Sequence, residues 1–144
     1  SPAAEGVFLN QIISKDLQNK FSVDSAGTCA WHVGNLPDHR MRQAAQKRGI
    51  NLESRARKIV EEDFINFDFI LTMDNSNLND VEKMLEMSGL TSHSIIRPIL
   101  SYSSNNIIKE VPDPYYGGER GFEEVLDLLE DAIRGLIIHL QETC

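Results

Sequence analysis

Cysteine is scarce in this chain, with Cys29 and Cys144 the only two in 144 residues. Thiols so far apart build no disulfide scaffold, so both are expected to be reduced. Cys29 reads as a small packed residue. The four histidines, His32, His39, His93 and His139, have no ligand-like spacing, so no metal site and no cofactor are expected. No apolar run is long enough to cross a membrane and no signal peptide is visible, which points to a cytoplasmic protein without membrane insertion. Positive charge is also short. Fourteen Lys and Arg against 22 Asp and Glu leave a net charge of −8, which argues against nucleic acid as a partner. Repeats, linkers and low-complexity tracts are missing as well.

What is present suits one folded domain. At 144 residues, 41% of them hydrophobic, the chain can bury a core and is too apolar to be disordered throughout. Spacing predicts a first helix from about Pro2 to Asn19, a short strand at Phe21 to Asp24, and a Gly-bearing loop from Ala26 to Pro37. Asp38 to Arg48 reads as a helix closed by Gly49. A short helix at Glu61 to Asn66 precedes a buried strand at Phe67 to Met73. Asp74 caps a helix carrying Leu78, Val81 and Leu85 that ends at Gly89, and Ile95 to Leu100 reads as a further strand. Phe122, Val125, Leu126, Leu129, Ile133, Leu136, Ile137 and Leu140 form one apolar stripe on a long final helix. Strands alternating with helices imply an α/β sandwich around a parallel sheet.

The run Val111-Pro112-Asp113-Pro114-Tyr115-Tyr116-Gly117-Gly118 stands out. Two prolines restrict the backbone around Asp113, and the glycine pair lets the chain turn before the last helix. A held carboxyl beside two aromatic rings suits a general acid next to a flat substrate. A plain proline-rich surface turn accounts for the same residues. At the other end, Ser1 and Pro2 form a good N-cap and first-turn pair. Residue 1 therefore sits where helix N–H groups and the dipole can receive an anion such as phosphate.

Taken together and in order, Ser1-Pro2-Ala3-Ala4-Glu5, Asp24-Ser25-Ala26-Gly27-Thr28, Met73-Asp74 and Asp113-Pro114-Tyr115-Tyr116-Gly117 resemble the low-molecular-weight protein tyrosine phosphatases, with a bacterial flavour. The resemblance implies a three-layer sandwich around a small parallel sheet, and the hydrolysis of phosphotyrosine or small aryl phosphates through a cysteinyl-phosphate. It also implies a first strand and a loop of Cys, five residues and Arg directly ahead of Ser1. Neither cysteine of this chain rebuilds that loop, since Asn35 stands where Cys29 would need Arg, and Cys144 is the last residue. The expectation is a single phosphatase-like domain over 1–144, truncated at its N-terminus. Without its central first strand it should expose apolar edges and be poorly stable.

The resemblance assigns roles residue by residue. Asp113 would protonate the leaving oxygen and then activate water. Ser1 would hydrogen-bond within the loop and hold the nucleophilic Cys as thiolate; read without the family, it is an N-cap. Tyr115 and Tyr116 would form one wall of the phosphotyrosine slot and Trp31 the other, with a buried loop anchor as the plain alternative for Trp31. Asn35 would brace the phosphate loop, or simply form a turn after Gly34. Asp74 is assigned to capping. Arg40 and Arg42 read as solvated helix charges.

Rival functions are a catalytically dead pseudophosphatase or phosphate-binding module, and an arsenate reductase. The reductase would need further cysteines for a thiol relay. The segment from Asp74 to Leu90 has none.

Overall fold

The computed structural model describes residues 2–29, 33–105 and 107–143, apart from the side chains of 115, 116 and 119. Among the described residues, five α-helices and two strands follow one another as α1 (Pro2–Ser14), α2 (His39–Gln46), α3 (Asp63–Asn66), β1 (Phe69–Thr72), α4 (Asn75–Ser88), β2 (Ile95–Pro98) and α5 (Gly118–Thr143). Short 3₁₀ turns at Ile99–Tyr102 and Pro114–Gly117 complete the order.

β1 and β2 pair in parallel with Phe69 opposite Ile95 and Thr72 opposite Pro98, and α4 provides the crossover that parallel strands require. Side chains alternate across this small sheet as a period of two demands. Phe69, Leu71 and Met73 pack on the main core with α1 and α5, whereas Ile70 and Ile96 pack on a second cluster around Ile59, Phe64 and Val81. Helices on one face, sheet, and helices on the other make the three-layer α/β sandwich that the sequence implied.

All eight apolar positions assigned to the stripe of α5 are buried. Full burial of such a side chain stabilises by roughly 1.5–3 kcal/mol, so α5 supplies much of the core. Arg48, just past α2, ties itself to α5 through Glu123, Asp127 and Glu130.

Several boundaries differ from expectation, each for a local reason. α1 stops at Ser14 rather than Asn19, because Asp16 takes a left-handed φ of 57° and the Leu17 N–H bonds back to the Ile12 carbonyl. The second strand gives way at Ile99 to a 3₁₀ turn that buries Ile99 and Leu100. Residues 21–24 form no strand: the segment 21–26 has no backbone partner among the described residues. Cys29, two residues past the isolated parallel bridge of Gly27 to Lys58, is exposed rather than packed.

Candidate active site at the carboxyl end of the sheet

Ligands of open α/β sheets bind beyond the carboxyl ends of the strands, and the sequence-marked Asp113 lies there. Past the end of β1, the Met73 carbonyl accepts a hydrogen bond of 2.8 Å from the Val111 N–H. Glu110 Oε1 accepts another from the Asn75 N–H at 3.0 Å. These two bonds fasten the segment that leads into Pro112 and Asp113 to the mouth of the sheet. Beyond Asp113, Pro114–Gly117 closes into a 3₁₀ turn and α5 starts at Gly118, whose φ is +61°. Gly121 then sits so near the turn that a Cβ would lie 2.4 Å from the Pro114 carbonyl oxygen. Two prolines and a glycine contact thus position Asp113 from both sides.

Asp113 and Asp74 line one small cavity of about 250 Å³ with Met41, Met73 and Val125. Asp74 Oδ1 accepts from the Asn77 N–H at 2.8 Å and caps α4, as the sequence indicated. Met73 also borders a larger cavity of about 690 Å³, onto which the first turn of α1 opens through Pro2, Ala4 and Glu5. Glu5 is buried and accepts hydrogen bonds from the Ser25 hydroxyl at 2.8 Å and from the Ser54 hydroxyl. That pairing joins the start of α1 to the segment 24–28. Sequence reading missed it, because partners 20 and 49 positions away leave no local signal.

Arg57 and Asp63 form a second unforeseen pair. Arg57 donates to both Asp63 oxygens at 3.0 and 3.1 Å and to Asp24 at 2.9 Å. Burial pushes the Asp63 carboxyl up, but the Arg57 hydrogen bonds, the Val60 N–H and the Arg57 charge outweigh it and hold the group below its ordinary value.

Asn35 belongs to a loop pinned by bonds from the Gly34 N–H to Ala56 and from the Ala56 N–H to the Asn35 carbonyl. It is exposed and does not line the cavity under Asp113. Ser1, Trp31 and the side chains of Tyr115 and Tyr116 lie outside the described residues. Arg40 is more than a solvated charge: its guanidinium carbon lies 4.9 Å from the centre of the Phe122 ring, and it pairs with Asp38. Among the described residues no group of three or more His, Cys, Asp or Glu could hold a metal.

A parallel sheet between helical layers, with an acidic turn fixed at its carboxyl end, defines an α/β sandwich with its candidate site at the strand ends. Residues 1–144 match the family described as low molecular weight phosphotyrosine protein phosphatase, and the chain belongs to that family. The low molecular weight protein-tyrosine-phosphatase YfkJ of Bacillus subtilis is 34% identical, covering 99% of this chain and 88% of its own length. A protein tyrosine phosphatase structure from Entamoeba histolytica superposes with a TM-score of 0.91 at 42% identity, over 99% of this chain and 90% of that one. An arginine phosphatase structure from Drosophila also reaches 0.91, at 30% identity over 97% and 89% of the two chains. Among the described residues no helix is long and apolar enough to cross a membrane.

Proposed function

We propose that this chain is the larger part of a phosphatase that hydrolyses phosphotyrosine in proteins, or small aryl phosphates, with Asp113 as general acid and base. The observation that carries this reading is the fixed position of Asp113 at the carboxyl end of β1, held by the Val111–Met73 bond and by Gly121 against Pro114. A thiolate attacks phosphorus, the bond from phosphorus to the phenolic oxygen breaks, and Asp113 gives its proton to that oxygen. The Asp113 carboxylate then takes a proton from water as the water attacks the cysteinyl-phosphate, releasing phosphate and restoring the thiolate.

In this reading Tyr115, Tyr116 and Trp31 hold the aryl ring, Asn35 braces the phosphate loop, and Ser1 steadies the thiolate. Cys29 and Cys144 start no loop of Cys, five residues and Arg, and on the family resemblance this reading places the nucleophile and its Arg directly ahead of Ser1. The alternative reading is a catalytically dead phosphatase-like or phosphate-binding module.

Turnover of a phosphotyrosine peptide, a phosphoarginine peptide and phenyl phosphate tests both. Hydrolysis of the aryl substrates that drops roughly 100- to 10,000-fold in Asp113→Asn supports the first reading. Preference for phosphoarginine would replace its substrate class. Phosphotyrosine binding without turnover, in a protein that carries the Cys–Arg loop, would favour the second.

A further inference from the structure

Two arginines, one near each end of α2, reach the start of α5. Arg48, past the C-terminus of α2, pairs with Glu123. Arg40, near the N-terminus, places its guanidinium carbon 4.9 Å from the centre of the Phe122 ring. So α2 grips two consecutive residues of α5 from its two ends. Phe122 is only 2% exposed and follows Gly121, the glycine packed against the Pro114 carbonyl. Whatever holds the Phe122 ring therefore bears, through one peptide bond, on the turn next to Asp113. Between the two arginines, Met41 is buried and borders the small cavity beside Asp113, Pro114 and Val125.

The guanidinium of Arg40 is itself aimed. Asp38 caps α2 by accepting from the Arg40 N–H at 2.8 Å. Its carboxylate also accepts from the Arg40 side chain, at Nε (3.3 Å) and Nη2 (3.5 Å). One carboxylate thus fixes both the backbone and the guanidinium of the same residue. A cation held over an aromatic face is attracted by the quadrupole of the ring, and a planar guanidinium suits that place better than an ammonium.

We infer that Arg40 is a positioning residue for Asp113: through the Phe122 ring it fixes the start of α5, and with it the Pro114–Gly117 turn. This role rests on Asp113 acting as general acid and base, as proposed above. The fold depends on Arg40 far less. Seven other buried side chains of the stripe anchor α5, whereas the Arg40 side chain is half exposed. Removing the guanidinium leaves the helix packed and loosens its first turn, where a small displacement matters for proton transfer. Arg42 supplies the contrast, since it carries the same charge on the same helix and is exposed.

The test compares Arg40→Met with Arg42→Met, each alone and combined with Asp113→Asn. In amide NMR spectra of the 144-residue chain, Arg40→Met should shift the signals of Asp113 and residues 117–121, and Arg42→Met should leave them in place. Turnover is then read in protein carrying the Cys–Arg loop. There Arg40→Met should lower kcat on phenyl phosphate about tenfold, within the loss that misplacement of a reacting group causes, with KM unchanged. On p-nitrophenyl phosphate, whose leaving group needs less protonation, the fall should be distinctly smaller. In the Asp113→Asn background Arg40→Met should cost nothing further, because a positioning residue acts only through the group it positions. A merely structural role would slow both substrates alike and add to Asp113→Asn. Absent shifts, equal shifts from both arginine variants, a rise in KM alone, or additive losses would each overturn the inference and leave the phosphatase reading standing. Turnover indifferent to Asp113→Asn, or no turnover, would remove that reading and this inference with it.

Discussion

At the residue scale, Asp113 is the group on which the proposed chemistry rests. The restraint on its backbone was legible because prolines and glycines leave a strong local mark, and the Val111–Met73 bond and the close approach of Gly121 to Pro114 agree with it. If Asp113 protonates the leaving oxygen, its loss matters most where the leaving group is poor. Asp113→Asn should lower kcat on phenyl phosphate by about 100- to 10,000-fold and on p-nitrophenyl phosphate by distinctly less, a contrast that steady-state rates would reveal. Gly121→Ala probes position rather than chemistry. The added Cβ meets the Pro114 carbonyl at 2.4 Å, so the turn bearing Asp113 must shift, and a misplacement of that order costs up to about 100-fold in rate. The expected signature is a fall in kcat larger than thermal unfolding would account for.

Asp63 was not legible, because only the folded chain brings Arg57 and the Val60 N–H to it. Its folded pKa is lowered, so its stabilisation is present above the unfolded value. That stabilisation is lost as pH falls through the folded value, below about pH 4. Asp63→Asn should therefore cost about 1–3 kcal/mol at neutral pH and flatten the acid side of the stability curve. Urea titrations between pH 3 and 7 would check both effects.

At the scale of elements, sequence reading succeeded where local chemistry decides and failed where a partner decides. Asp74 and Gly89 bracket α4 as read, the first through its bond to the Asn77 N–H and the second through a left-handed φ of 72°. Asp74→Ala should destabilise by about 1 kcal/mol and leave KM for an aryl phosphate unchanged, which separates capping from a role in binding. The stripe on α5 was equally plain, since its period of 3.6 repeats over five turns. Residues 21–24 carry the composition of a strand but pair with nothing among the described residues. Composition states what a segment could do; pairing requires a neighbour. The end of α1 was misjudged because Asp16 adopts a left-handed conformation that few residues take, and the return of Leu17 to the core rewards it.

At the scale of the whole molecule, the α/β sandwich followed from the alternation of strands and helices, and the family from four short motifs in order. The assembly of the candidate site was only partly legible. Contacts such as Glu5 with Ser25 and Ser54 join distant segments, and a net charge of −8 says nothing about the charge of one local site.

The most direct measurement is vanadate-sensitive hydrolysis of phenyl phosphate by purified protein whose intact mass has been determined. The expected result is no turnover from a chain of 16.2 kDa. A longer protein carrying the Cys–Arg loop should turn over, and Asp113→Asn should remove at least about 99% of that rate. Turnover by the 16.2 kDa chain itself, or a longer active protein indifferent to Asp113→Asn, would contradict the proposed mechanism.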